Sequence, residues 1–201
     1  MISASVQDTE RQHLQAEEKS MDIFKAIAAR HSYRGEFTDR PVPRSDLEKI
    51  VQAGMAAPSG CNAQTTTFVI VDDAAILSKL ADLVPRPVMR GAKAVIVCIA
   101  EHRPVYKDKS FGIEDCSAAT ENMLLAITAL GYATVWIDGV LREYNRARQV
   151  GDLLGVPPDR DVRIVLPIGV PKDHCRQREK QPFSTRAWFN SYNGRKDGKQ
   201  L

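Results

Sequence analysis

Seven consecutive residues, Ala94-Val95-Ile96-Val97-Cys98-Ile99-Ala100, carry no charge and no amide, and they constrain the fold more than any other stretch. Successive side chains of a strand point to opposite faces, so a run apolar at every position belongs to a strand buried on both sides, at the centre of a sheet. Residues 112–130 form the longest helical run, rich in Ala, Leu and Met. Its apolar character extends over most of the circumference, as in a helix buried at a core or an interface. Gly131 follows as a C-cap glycine.

Around these two elements helices and strands alternate. Helical patterns cover residues 21–29, 73–84 and 143–154, and Ser20 is placed to cap the first. A second helix opens on the capping box Ser45-Asp46-Leu47-Glu48, with Leu47, Ile50, Val51 and Met55 on one face. Strands are expected at 66–71, 133–137 and 162–169. At 201 residues the chain is one domain with arms. Residues 1–20 read as a polar arm, helical over 6–19, residues 21–190 as the folded body, and 191–201 as a polar tail. From residue 170 onward the chain is polar and basic, with Phe183, Trp188, Phe189 and Tyr192 as its anchors. A segment of that kind either frays or lies across another surface.

The net charge of +3 suits an anionic cofactor or substrate and is too mild and too evenly spread for nucleic acid. Cys61, Cys98, Cys116 and Cys175 lack the paired spacing of a zinc site, so free thiols in a reducing cytoplasm are expected. The polar N-terminus has no apolar core of a signal peptide, and no segment is long and apolar enough to span a bilayer. The chain contains neither GxGxxG nor GxxxxGK[ST], which argues against Rossmann and P-loop nucleotide sites. Ser59, in Pro58-Ser59-Gly60, does not sit in a GxSxG elbow, and its hydroxyl reads as a turn former. His31, His102 and His174 are scattered. With no acid, base or metal constellation, chemistry would have to come from an organic cofactor.

Two stretches suggest where such a cofactor would sit. In Arg30-His31-Ser32-Tyr33-Arg34, extended backbone directs Arg30, Ser32 and Arg34 to one side. Two guanidinium forks with a hydroxyl between them suit phosphate. Arginines at a helix end also serve as solvated charges complementing the macrodipole, and the residues alone leave both readings open. In the loop Ala57-Pro58-Ser59-Gly60-Cys61-Asn62-Ala63-Gln64, the amides of Asn62 and Gln64 both donate and accept. That fits the mixed edge of an isoalloxazine ring, although the loop alone reads first as a polar turn after a helix.

Taken together and in order, these two stretches resemble the FMN-dependent nitroreductase family. So do Phe68-Val69-Ile70-Val71, the run from Asn122 through Gly131, Trp136-Ile137-Asp138-Gly139, Pro167-Ile168-Gly169-Val170-Pro171, and Arg178-Glu179-Lys180-Gln181-Pro182-Phe183. The resemblance implies an α+β fold, a mixed sheet flanked by helices, in an intertwined homodimer whose long helices share the interface. Residues 171–190 would form an arm over the partner, and two FMN sites would lie between the subunits. It further implies that Arg30, His31, Ser32 and Arg34 hold the FMN phosphate and ribityl end, joined by Arg178 and Lys180. Pro58, Ser59, Asn62 and Gln64 would approach the flavin edge or come from the partner subunit. Asp138 and Gly139 would present backbone near N5. Asp115 would be a polar residue close to the cofactor, and Tyr106 and Phe111, in the variable segment 101–112, would face the substrate. Thr65-Thr66 stands where members often carry Pro-Trp.

The activity implied is ping-pong transfer of hydride from NAD(P)H through flavin N5 to a nitroaromatic, quinone or related small-molecule acceptor, with no side chain required as acid or base. Dehalogenating and flavin-fragmenting relatives, and a non-enzymatic flavin-binding module, are the alternatives.

Overall fold

β2, Ala94–Glu101, is the middle strand of a three-stranded sheet ordered β1-β2-β3. The computed structural model describes residues 21–192. The expected arm at 1–20, its Ser20 cap and residues 193–201 lie outside the described residues. β1 (Thr66–Val71) and β3 (Arg160–Ile168) flank β2, both antiparallel to it. Among the described residues the sheet is antiparallel throughout, where a mixed sheet was expected. Residues 133–137, expected as a further strand, form only isolated antiparallel bridges, Ile137 to Val165 of β3 and Ala133 to Gly169 just beyond it. Between those bridges the Thr134 carbonyl turns to the other side and accepts the Tyr33 N–H at 2.8 Å.

Strand alternation divides the apolar residues between two cores. Val95, Val97 and Ile99 face α3 (Ala74–Leu83), α4 (Pro87–Arg90) and α6 (Arg146–Leu154). Ala94, Ile96, Cys98 and Ala100 face α2 (Arg44–Met55) and α5 (Gly112–Ala129). Full burial of an aliphatic side chain is worth roughly 1.5–3 kcal/mol, and from Val95 to Ile99 every position except Cys98 carries one. Between Cys98 and Ile99 the register with β3 shifts, so that Cys98 faces Ile164 and Ile99 faces Val162. Arg163 is the extra residue of this bulge. Val162 and Ile164, two apart, consequently enter opposite cores.

Helix boundaries follow local chemistry. α1 (Ile23–Ala29) is capped by Asp22, whose carboxylate accepts the N–H groups of Phe24 and Lys25. α2 begins at Arg44 behind Pro43, with no side-chain cap, so the expected capping box at Ser45 does not form. Val42 and Leu47 instead pack into the same core on either side of the first turn, a hydrophobic staple that fixes the start two residues earlier. α5 buries Cys116, Ala119, Thr120, Met123, Leu124 and Ile127, one stripe at helical spacing, while Ile113 stays half exposed. Of its residues only Ile113, Glu114 and Glu121 are exposed in the single chain. Gly131 follows with φ +79°, as a C-terminal glycine does. α6 starts at Arg146, later than expected, because Tyr144 and Asn145 adopt left-handed backbone after a 3-10 turn at Gly139–Arg142.

Below α5, the Tyr132 hydroxyl donates to Asp46 of α2 at 2.8 Å. Burial, then the Asp46 partner, pushes the phenol up to about 12. The same bond, with Lys49, holds the Asp46 carboxyl below the usual range. No helix among the described residues is long and apolar enough to cross a membrane.

Candidate active site

The arginine segment leaves α1 as extended chain and is anchored by its central residue. Tyr33 is fully buried and donates its hydroxyl to the Glu36 carbonyl, and the same oxygen accepts the Lys172 N–H at 3.2 Å. Alternation then places Arg30, Ser32 and Arg34 away from that core. They line a cavity of about 560 Å³ together with His31, Arg178 and Lys180. All six residues expected at a phosphate end therefore meet, although Arg178 and Lys180 arrive from the far end of the chain.

Two devices bring the far end there. Lys172 pairs with Glu36 at 2.8 Å and holds that carboxyl below its usual range. Gln177 donates to the carbonyls of Ile27 (3.2 Å) and Arg30 (2.7 Å), the free end of α1. Arg30 also lies 3.7 Å from Glu121 of α5, which fixes its direction. The imidazole Nδ1 of His31 is bonded to the Ala29 carbonyl, which leaves its buried Nε2 without a partner. Such an atom is costly unless something else reaches it.

Arg34 also lines a second cavity, of about 480 Å³, with Trp136, Ile137, Asp138, Gly139 and Arg86. Arg142 reaches back one turn to hold the Asp138 carboxylate at 2.7 Å. A Cβ built on Gly139 would meet nothing within 4 Å, so the backbone here borders open space. The two cavities share Arg34 as a wall and so are neighbours.

The amide-bearing loop lies elsewhere in the same chain. Pro58, Ser59 and Gln64 line a smaller cavity of about 120 Å³ with Asp115 and Met55. Asn62 stands exposed beside it. The loop is strained, since Cys61, Asn62 and Gln64 all have φ near +50°. Left-handed backbone costs a non-glycine residue roughly 1–2 kcal/mol, so the conformation needs braces. Asp115, buried at 5% exposure, supplies the main one. Its carboxylate accepts the Gly60 N–H at 2.8 Å and the Thr65 hydroxyl at 2.6 Å. Ser59 Oγ accepts the Gln64 N–H, as a turn-forming hydroxyl does. Arg103 donates to the Ala63 carbonyl at 2.8 Å. The Phe111 ring lies so close over Gly60 that a Cβ there would fall 2.3 Å from it.

Phe111 thus braces the loop, and both Asp115 oxygens are engaged by it. Tyr106 stands half exposed on a turn closed by its bridge to Lys109. Sequence reasoning missed Arg86 in the second cavity and Arg176 and Gln177 in the first. Arg176 and Gln177 adjoin Arg178 in sequence, a proximity that carried a signal. Arg86 sits between two prolines and carried none.

Comparison with known proteins covers most of the chain. Residues 27–88 and 80–170 match the model of the nitroreductase family. An Archaeoglobus fulgidus protein described as an NADH dehydrogenase/NAD(P)H nitroreductase is 37% identical over 153 residues, covering 76% of this chain and 87% of that one. The NADPH-flavin oxidoreductase of Vibrio harveyi is 28% identical over 183 residues, covering 85% of this chain and 75% of its own length. Among solved structures, a nitroreductase of Desulfovibrio desulfuricans in complex with FMN superposes with a TM-score of 0.72 at 26% identity. That likeness covers 86% of this chain and 98% of the other.

Proposed function

This chain belongs to the nitroreductase family, and from that premise we propose that it binds FMN and passes electrons from NAD(P)H to small acceptors such as nitroaromatics or quinones. The observation that carries the reading is the pair of cavities joined at Arg34. One is lined by five cationic side chains, Arg30, Arg34, Arg176, Arg178 and Lys180. The other is bordered by the uncrowded backbone of Gly139. Their volumes lie within the range of ligand pockets, and a long molecule with a dianionic end and a planar end matches both.

Arg30, Arg34, Arg178 and Lys180, with Arg176, offset the two charges of the phosphate, the arginines through bidentate forks. Ser32 and the unpartnered Nε2 of His31 serve the hydroxylated chain. Asp138 and Gly139 present backbone to the ring, with the Asp138 side chain kept aside by Arg142. Arg86 adds a cation at the same cavity. FMN held by these residues would supply the hydride-accepting chemistry that links NAD(P)H to a second substrate, consistent with ping-pong order. The protein positions and supplies charge, and no side chain acts as acid or base.

The loop with Pro58, Ser59, Asn62 and Gln64 lines a different cavity from the arginines, which supports its delivery to the flavin of a second copy. Ile23, Phe24 and Ile27 of α1, at 53%, 77% and 48% exposure, and Phe183, Phe189 and Tyr192 near the end of the described chain, form apolar surface that a homodimer covers. Residues 171–190 then extend as an arm, and Tyr106 and Phe111 belong to the rim met by acceptors.

The test is a visible spectrum of the purified protein, followed by NAD(P)H oxidation with nitrofurazone or menadione. A yellow dimer that oxidises NAD(P)H only with an acceptor present supports the proposal. A colourless monomer that stays flavin-free in excess FMN overturns it.

A further inference from the structure

Cys98 and Cys116 take no part in the machinery above, yet they are arranged as a reactive pair. Cys98 lies at the centre of β2 and Cys116 in the first half of α5; both are buried in the core between sheet and helix. Both belong to the same core cluster, and each thiol alters the other's proton affinity. Thr120, one turn along α5, donates to the Cys116 carbonyl at 2.7 Å and places the same hydroxyl 3.6 Å from Cys98 Sγ.

Cys116 also borders a small cavity of about 50 Å³, with Trp136, Asp138, Arg142 and Arg163 among its walls. That is room for a molecule of two or three heavy atoms. Arg163 is the extra residue of the β3 bulge, which re-aims it here. Trp136 and Asp138 also line the larger recess, so the small cavity is its immediate neighbour. The pair is polarised. The neighbouring Cys98 thiol and then the charge of Arg163 draw the Cys116 thiol down against its burial, while Cys116 and burial push Cys98 well up.

We propose that Cys116 is a reaction site for hydrogen peroxide or another small hydroperoxide, and that Cys98 resolves the product to an intramolecular disulfide. The Cys116 thiolate attacks one peroxide oxygen, forming S–O as O–O breaks. Hydroxide leaves and takes a proton, so sulfur loses two electrons and the peroxide gains them. Cys98 sulfur then attacks the Cys116 sulfenic sulfur. S–S forms, S–O breaks, and the Cys98 proton leaves with the oxygen as water. In total two thiols and one peroxide yield one disulfide and two waters. The new bond ties α5 to β2 beside Asp138.

The test uses the full chain carrying Cys61→Ser and Cys175→Ser, which removes the two exposed thiols. The protein is treated with equimolar hydrogen peroxide, denatured, alkylated and mapped by mass spectrometry. The expected result is loss of both alkylatable thiols, a peptide pair linked through Cys98 and Cys116, and recovery on reduction. With Cys98→Ala added, Cys116 is expected to accumulate as a dimedone-reactive sulfenic acid. The proposal is overturned if both thiols remain alkylatable after peroxide has been consumed, or if Cys98 rather than Cys116 takes up dimedone in the corresponding single variants.

Discussion

Replacing Asp115 with Ala tests how the strained loop is held. The change removes the acceptor of the Gly60 N–H and of the Thr65 hydroxyl, at 2.8 and 2.6 Å, and Thr65 is fully buried. Hydrogen bonds to a charged acceptor contribute about 1.5–3 kcal/mol each, and a stranded buried donor costs about 1–3 kcal/mol. Relief from burying the carboxylate offsets part of this, so the expected loss is about 3–4 kcal/mol. For a domain of this size that lowers Tm by roughly 6–15 °C. Thr65→Val removes one of the two bonds at nearly constant volume and should cost about 1.5–2.5 kcal/mol. The double variant then costs less than the two singles together, by about 1–2 kcal/mol, because the shared bond is lost only once. Urea unfolding of the four proteins, followed by circular dichroism at unchanged m-value, measures the coupling. Additivity within about 0.5 kcal/mol would refute the clamp.

Other expectations follow from the same geometry. Arg30→Ala with Arg34→Ala lowers FMN occupancy, measured as flavin absorbance per chain after gel filtration, by at least tenfold, since each variant removes a fork from the cationic cavity; unchanged occupancy removes the phosphate assignment. Gly112→Ala places a Cβ 2.4 Å from the Glu101 carbonyl oxygen, a backbone atom that cannot step aside, and should cost about 1–3 kcal/mol in a thermal melt. Because the folded-state pKa of Tyr132 is raised to about 12, its contribution is complete below pH 10 and fades by roughly 2–3 kcal/mol as pH rises to 12. Tyr132→Phe should lack that alkaline decline, so the difference between the two pH–stability curves is the measurement. At the acid end the Asp46 contribution is present above the usual carboxylate range and is lost as pH falls through its depressed value.

Features encoded by neighbours in sequence were legible before the structure. The central position of β2 follows from one apolar run, and the outward direction of Arg30, Ser32 and Arg34 from alternation around buried Tyr33. Ser59 behaves as the turn former its context suggested. Where distant residues decide the outcome, local patterns pointed elsewhere. The α2 start is set by Val42 reaching a core that only the assembled chain contains, and this outweighs the box at Ser45. The interruption at 133–137 depends on Tyr33, a residue about a hundred positions away, claiming a carbonyl. The bulge at Arg163 depends on pairing with β2, and nothing in the spacing of β3 announces it. Asp115 reads as an acidic first-turn residue favoured by the helix dipole. Its service to a loop 55 positions earlier needs three dimensions.

The bonds from Gln177 to Ile27 and Arg30 span 150 and 147 positions. Both apolar cores, by contrast, are complete once Val170 has been made. Arg176, Arg178 and Lys180 are therefore carried to the cavity by a segment that neither core requires. That segment is held by the hydrogen bonds of Gln177 and Lys172 and by the Lys172–Glu36 ion pair. Breaking those few bonds would loosen the carboxy-terminal wall of the cationic cavity while both cores stay packed.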